Sequence, residues 1–148
     1  MRALWLRTLG GPEALRIEEV PDPVPGKGEL LVAMRAAAVN FPDLLTTEGK
    51  YQLRPELPFA PGKEGAGVVA AVGDGVTQFH IGDRVMVQAD YGTFAERAVA
   101  REHELVRPER RQSSFEFGRI DLIGSRKNLS LVYCAFNGRT RLCGDLIE

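Results

Sequence analysis

Apolar positions along the chain come in short runs cut by glycine, proline and aspartate. The clearest unit occupies residues 61–87, PGKEGAGVVAAVGDGVTQFHIGDRVMV. It passes through Val68, Val69 and Val72 among small residues, breaks at Gly73-Asp74-Gly75, and resumes after Ile81-Gly82-Asp83 with the alternating Val85 and Val87. This pattern predicts a strand, a turn and a strand, because Gly and Asp tolerate turn dihedrals that β-branched residues refuse. The alanines and glycines beside Val68 and Val69 allow another backbone to come close on one side.

The same reading extends in both directions. Residues 2–7 and 14–20 predict a hairpin about Gly10-Gly11-Pro12, its second arm alternating through Leu15, Ile17 and Glu19. Pro21, Pro23 and Pro25 interrupt ladder bonding, and Gly26-Lys27-Gly28 turns the chain into a third strand over 29–35. Pro42 suits the first turn of a helix and Asn40 or Phe41 stands near its N-cap, so a short helix is predicted over 41–47. Residues 48–61 are irregular, broken by Gly49, Pro55, Pro58 and Pro61. Phe94, and then Ala98 beside Val99, predict a strand within 91–99, and 104–107 forms a last short strand closed by Pro108. Many short strands and one brief helix argue a mainly β fold, a small partly open barrel or sandwich. From Glu109 the pattern loses its period; a hairpin about residues 125–128, with strands at 119–123 and 129–136, is the expectation there.

Composition narrows the class. With 148 residues, a net charge of −1 and 44% hydrophobic content, the chain suits one domain able to bury its own core. The balanced charge points to neither nucleic acid nor a membrane surface. No run reaches the roughly 18 apolar residues of a membrane-spanning helix. The opening MRALWL is cut too soon by Gly10-Gly11-Pro12 for a signal peptide, so the expected compartment is the cytoplasm. The two cysteines, Cys134 and Cys143, supply no disulfide framework.

Three stretches, VNFPDLLTTEGKY from Val39, LPFAPGKEGAGVVAAVGDGVTQFHIGDRV from Leu57 and YGTFAE from Tyr91, carry a family resemblance. In order, spacing and chemistry they resemble the N-terminal GroES-like domain of medium-chain dehydrogenase/reductases. Within that superfamily they are most similar to the zinc-independent NADPH:quinone oxidoreductases of the zeta-crystallin branch. The resemblance covers residues 1–108 and implies a GroES-like, partly open β-barrel with one short helix. The stretch 109–148 shows no comparable match beyond Ser114-Phe115-Glu116, which is similar to the opening of the family's next helix.

The resemblance also sets the chemistry. Zinc-dependent relatives place a Cys where this chain has Asn40 and a His where it has Lys63, leaving Glu64 almost alone against the three side-chain ligands a catalytic zinc needs. The four-cysteine structural lobe is missing as well, and His80 and His103 stand isolated, so no metal is expected. In the zinc-independent branch the reaction is hydride transfer from NADPH to a quinone or other conjugated carbonyl. By resemblance Asn40 and Tyr51 face the cleft near nicotinamide and substrate, with Asp43 one helical turn from Asn40. An amide and a phenol each donate to an oxygen on which charge develops. The bland alternatives stay open: Asn40 as helix cap, Asp43 as a first-turn acid, Tyr51 as loop cover. For Lys63 and Glu64 the alternatives are an ion pair at the cleft floor, or Glu64 bracing nearby backbone while Lys63 only replaces a lost ligand. Leu45 stands where some relatives carry a tyrosine. The glycines at 62, 65 and 67 precede a strand and not a helix, so they are no nucleotide loop.

A nicotinamide enzyme of this family needs a second, doubly wound domain, and a single βαβ unit takes about 30 residues. Gly118, Gly124, Gly138 and Gly144 are too widely spaced for its fingerprint, so this chain alone is expected to bind NADPH weakly or not at all. Three readings follow: an incomplete reductase inactive alone, a stand-alone binding or assembly module, or a partner for a separately encoded nucleotide-binding chain. If the barrel normally leans on a cofactor domain, the isolated chain should bind a hydrophobic dye or self-associate; a monomer that binds no dye would mean that the face is covered.

Overall fold

The computed structural model describes residues 1–108 and 132–135. The opening hairpin pairs β1 (Arg2–Leu6) with β2 (Leu15–Glu19), antiparallel, with Leu4 opposite Ile17. Between them a single 3-10 turn, Pro12–Ala14, is entered through Gly11 at φ 79°, a left-handed dihedral that glycine adopts without a Cβ penalty.

The main sheet is built on β3 (Glu29–Val39). One edge of β3 pairs with β4 (Glu64–Val72), and the other pairs first with β6 (Arg97–Arg101) and then with β8 (Val132–Ala135). β5 (Arg84–Gln88) and β7 (Leu105–Val106) continue the sheet beyond β4, giving the order β6-β3-β4-β5-β7 with β8 beside β3. Among the described residues the main sheet, the hairpin and one α-helix make the mainly β, partly open GroES-like half-barrel that the sequence predicts. Among the described residues no helix is long and apolar enough to cross a membrane.

Leu30, Val32, Met34, Val69, Val85 and Val87 meet in the core, joined by Phe79 and Leu105. Leu30 and Val32 are wholly buried, and each such side chain contributes about 1.5–3 kcal/mol of transfer free energy. Two hydrogen bonds, Leu6 N to Phe59 O at 2.8 Å and Leu4 N to Phe94 O at 2.8 Å, tie the hairpin to the loops below it.

β3 runs four residues past the expected 29–35. Alanines 36 to 38 carry little strand propensity, and pairing decides instead: Ala36, Ala37 and Ala38 lie opposite Ala66, Gly65 and Glu64. The strand expected at Phe94 is corrected: the ladder with β3 starts only at Arg97, opposite Ala33. Phe94 is buried, hence its strand-like look, but its backbone is spent elsewhere: its N–H donates to Pro61 O at 3.0 Å and its carbonyl accepts from Leu4. Of the expected tail hairpin, β8 falls within 129–136, while 119–123 and Cys143 lie outside the described residues.

The close approach expected beside Val68 and Val69 is made by β3. A Cβ at Gly67 would collide with the carbonyl oxygen of Ala33 and lie 2.7 Å from Val32 Cγ1. Gly67→Ala should therefore lower stability by about 2 kcal/mol or more through strand displacement. The urea midpoint of the full chain measures this, and an unchanged midpoint would contradict the packing described.

Candidate functional site

The three stretches that carry the family resemblance converge at one end of the sheet. β3 ends at Val39, Asn40 takes an extended conformation (φ −121°, ψ 159°), and α1 (Phe41–Thr47) begins, as the proline placement predicts. Asp43, in the first turn, accepts the backbone N–H of Asn40 through Oδ2 at 2.8 Å, which turns the chain sharply off the strand. Thr46 and Thr47 return their hydroxyls to Pro42 O and Leu44 O at 2.8 Å each, satisfying carbonyls inside the helix.

Glu64 opens β4 opposite Ala38, two residues before Asn40, and this register brings the two side chains together. Asn40 Nδ2 donates to Glu64 Oε2 at 3.1 Å. Thr93, wholly buried, donates its hydroxyl to the Glu64 carbonyl at 3.1 Å, so YGTFAE packs onto the start of β4. Gly62 makes that contact feasible: it sits at φ 95°, and a Cβ there would strike Thr93 Oγ1 and the Phe94 ring.

Lys63 and Glu64 form no ion pair with each other. Lys63 Nζ donates to the Asp90 carbonyl at 2.6 Å and lies 4.5 Å from the centroid of the Tyr51 ring, a cation–π contact. Lys63 thus does more than replace a lost ligand, since it fastens the loop after α1 to the loop after β5. Glu64, expected to brace backbone, spends its carboxylate on the Asn40 side chain. The sequence does not announce that contact; its only signal is the glutamate at the head of a strand whose register the sequence does not state.

Asn40, Asp43 and Glu64 are thus linked by hydrogen bonds, and Lys63, next to Glu64 in the chain, contacts Tyr51. Asp43 is 3% exposed, and its Oδ1 has no hydrogen-bond partner among the described residues. Burial pushes its carboxyl pKa up from the ordinary value, against the opposing pull of the Asn40 N–H, the Lys63 ammonium and the Gly62 N–H; the nearby Glu64 charge adds to the rise. His80 is exposed and His103 stands apart on the 3-10 turn Glu102–Glu104. Among the described residues no group of three or more His, Cys, Asp or Glu is placed to hold a metal.

An antiparallel half-barrel with one short helix at the end of its long strand is the architecture of a GroES-like domain. The alcohol dehydrogenase GroES-like domain matches residues 26–110, and the chain belongs to that family; quinone oxidoreductases and VAT-1 homologs are among its relatives. It is 44% identical over 98 residues to the human synaptic vesicle membrane protein VAT-1 homolog, covering 65% of this chain and 25% of that protein. It is 38% identical over 105 residues to the quinone oxidoreductase of Lama guanicoe, covering 70% of this chain and 32% of the relative. Among solved structures, the Escherichia coli quinone oxidoreductase complexed with NADPH aligns with TM-score 0.67 and 31% identity, over 72% of this chain and 32% of that one. The chain therefore spans about a quarter to a third of the length of these relatives.

The buried Asp43 makes stability depend on pH with a definite sign. Its native carboxyl holds a proton more tightly than the unfolded one, so between the ordinary value of about 3.9 and the raised native value the folded state binds more protons. The stability contributed by this group falls as pH rises through that window. Urea midpoints taken across the window should show a downward component with rising pH in the parent that Asp43→Asn removes; parallel profiles would place the proton elsewhere.

Proposed function

We propose that this chain is the substrate-side portion of a zinc-independent, NADPH-dependent quinone oxidoreductase, acting in hydride transfer to a quinone or other conjugated carbonyl. One observation carries the reading: Asn40 has its amide nitrogen held by Glu64, and among the described residues its second amide N–H has no other partner, so it can donate to a carbonyl oxygen. In such a reduction negative charge develops on that oxygen, and a fixed donor stabilises it more than it stabilises the ground state. Tyr51, held from one face by Lys63, supplies a second donor, the phenol. Asp43 acts through Asn40, by holding its backbone N–H at the strand-to-helix corner.

The residue chemistry also supports a metal-free route. Where zinc-dependent relatives carry Cys and His, this chain has an amide and an ammonium; the ammonium has no lone pair to give and repels a cation.

NADPH would supply the hydride. The described residues do not fit the whole dinucleotide: α1 opens on Asn40-Phe41-Pro42, the Asn40 N–H is taken by Asp43, and Pro42 has none, so no cradle for a pyrophosphate forms there. What they offer is one wall, which orients the carbonyl substrate.

A hybrid enzyme tests the reading. Residues 1–108 in place of the matching segment of the Escherichia coli quinone oxidoreductase should give NADPH oxidation by 1,4-naphthoquinone. Asn40→Ala in that hybrid should lower kcat/KM by about 100-fold, the order expected for one oxyanion donor. A folded but inactive hybrid, or an Asn40→Ala form as active as its parent, would remove quinone reduction as the function.

A further inference from the structure

We propose that Glu64 is a positioning residue that sets the direction of the Asn40 amide; the catalytic use of that amide rests on the quinone-reductase reading. A side-chain amide has a donor end and an acceptor end, and nothing intrinsic decides which of them faces a neighbour. An ionised carboxylate decides it, because it can only accept. With Oε2 of Glu64 at 3.1 Å, the nitrogen end of Asn40 must face β4, and a flip would set two acceptor oxygens against each other.

Glu64 is itself held firmly enough to impose that direction. Its backbone lies between Ala38 on β3 and Gln88 on β5, and its carbonyl takes the Thr93 hydroxyl. Its neighbour Lys63 is engaged by the Asp90 carbonyl and the Tyr51 ring, so it does not draw the Glu64 carboxylate away. The other end of Asn40 is fixed too, since its backbone N–H is bonded to Asp43 Oδ2. Backbone and side chain of Asn40 are thus each tied to a separate carboxylate. In the side chain, Glu64 holds the nitrogen end, while the N-cap arrangement sets the oxygen end toward the Asp43 backbone.

The two acids therefore act on different degrees of freedom. Asp43 sets where Asn40 leaves the strand. Glu64 sets where its second N–H points. A donor held in advance costs no reorganisation when charge appears on a bound oxygen, which is the energetic reason for a carboxylate beside an amide at this place.

The test uses the full 148-residue chain, 15N-labelled, and reads the Asn40 side-chain amide by NMR with no turnover involved. In the parent, one Nδ2 proton should be shifted downfield by its charge-assisted bond, and the nitrogen should be ordered. In Glu64→Ala the pair should move to free-asparagine shifts, with an order parameter below about 0.6. Glu64→Gln presents donor and acceptor alike, so the downfield shift should disappear while the fold is kept. Unmoved backbone amides of Val69 and Val85 show that the core is intact. If Glu64→Ala does not fold, Glu64→Gln decides alone. An Asn40 pair that resonates as free asparagine in the parent, or that ignores both substitutions, overturns the proposal. An inactive hybrid enzyme together with a Glu64-dependent Asn40 amide would uphold the positioning role and remove the quinone reading.

Discussion

The close antiparallel contact between β3 and β4 is the constraint on which the rest of the molecule depends. Gly65 and Gly67 present no side chain to β3: a Cβ at either would run into Ala36 O or Ala33 O. The two backbones can therefore lie together with the core residues Val32, Met34 and Val69 packed beside them. The ladder carries two irregularities, one between Leu31 and Val32 and one between Met34 and Ala36. At the first the extra residue, Ala70, belongs to β4; at the second the extra residue, Arg35, belongs to β3. The two displacements cancel, so Ala38 meets Glu64 in the same register that began at Leu30 and Val72. A single bulge would move Glu64 by one residue and turn its side chain away from Asn40.

Everything polar at the end of the sheet follows from that alignment. Residues 63 and 64 are neighbours with opposite tasks, one reaching to Tyr51 and Asp90, the other to Asn40. Successive side chains at a strand's start point to opposite sides, which is why this cationic and anionic pair does not neutralise itself. The site thereby keeps an ammonium, a carboxylate and an amide in separate fixed contacts. The buried Asp43 stands behind them with a carboxyl that resists ionisation. Gly62 and the loop that carries Thr93 and Phe94 close the arrangement from the other side, through Thr93 N to Gly62 O at 3.1 Å and Phe94 N to Pro61 O at 3.0 Å.

The sequence by itself determined the elements and the family. Strand-turn-strand over 61–87, the hairpin at the start and α1 over 41–47 all follow from local chemistry: β-branched runs, turn glycines, and a proline after an asparagine. Three motifs sufficed for the GroES-like class. Tertiary structure decided what local chemistry cannot encode. Alanines 36 to 38 became strand because β4 and β8 flank them. Phe94 left the ladder because its N–H and C=O were claimed by Pro61 and Leu4. Asn40 and Asp43 are three residues apart, and their placement as helix cap and first-turn acid was legible, though not the bond between them. Asn40 and Glu64 are separated by a helix and a long loop, and their meeting depends on a register held by two bulges that no single-residue signal announces. Hydrogen bonds between neighbours in the chain are a property of sequence; those between strands are a property of alignment, which exists only once the sheet has formed.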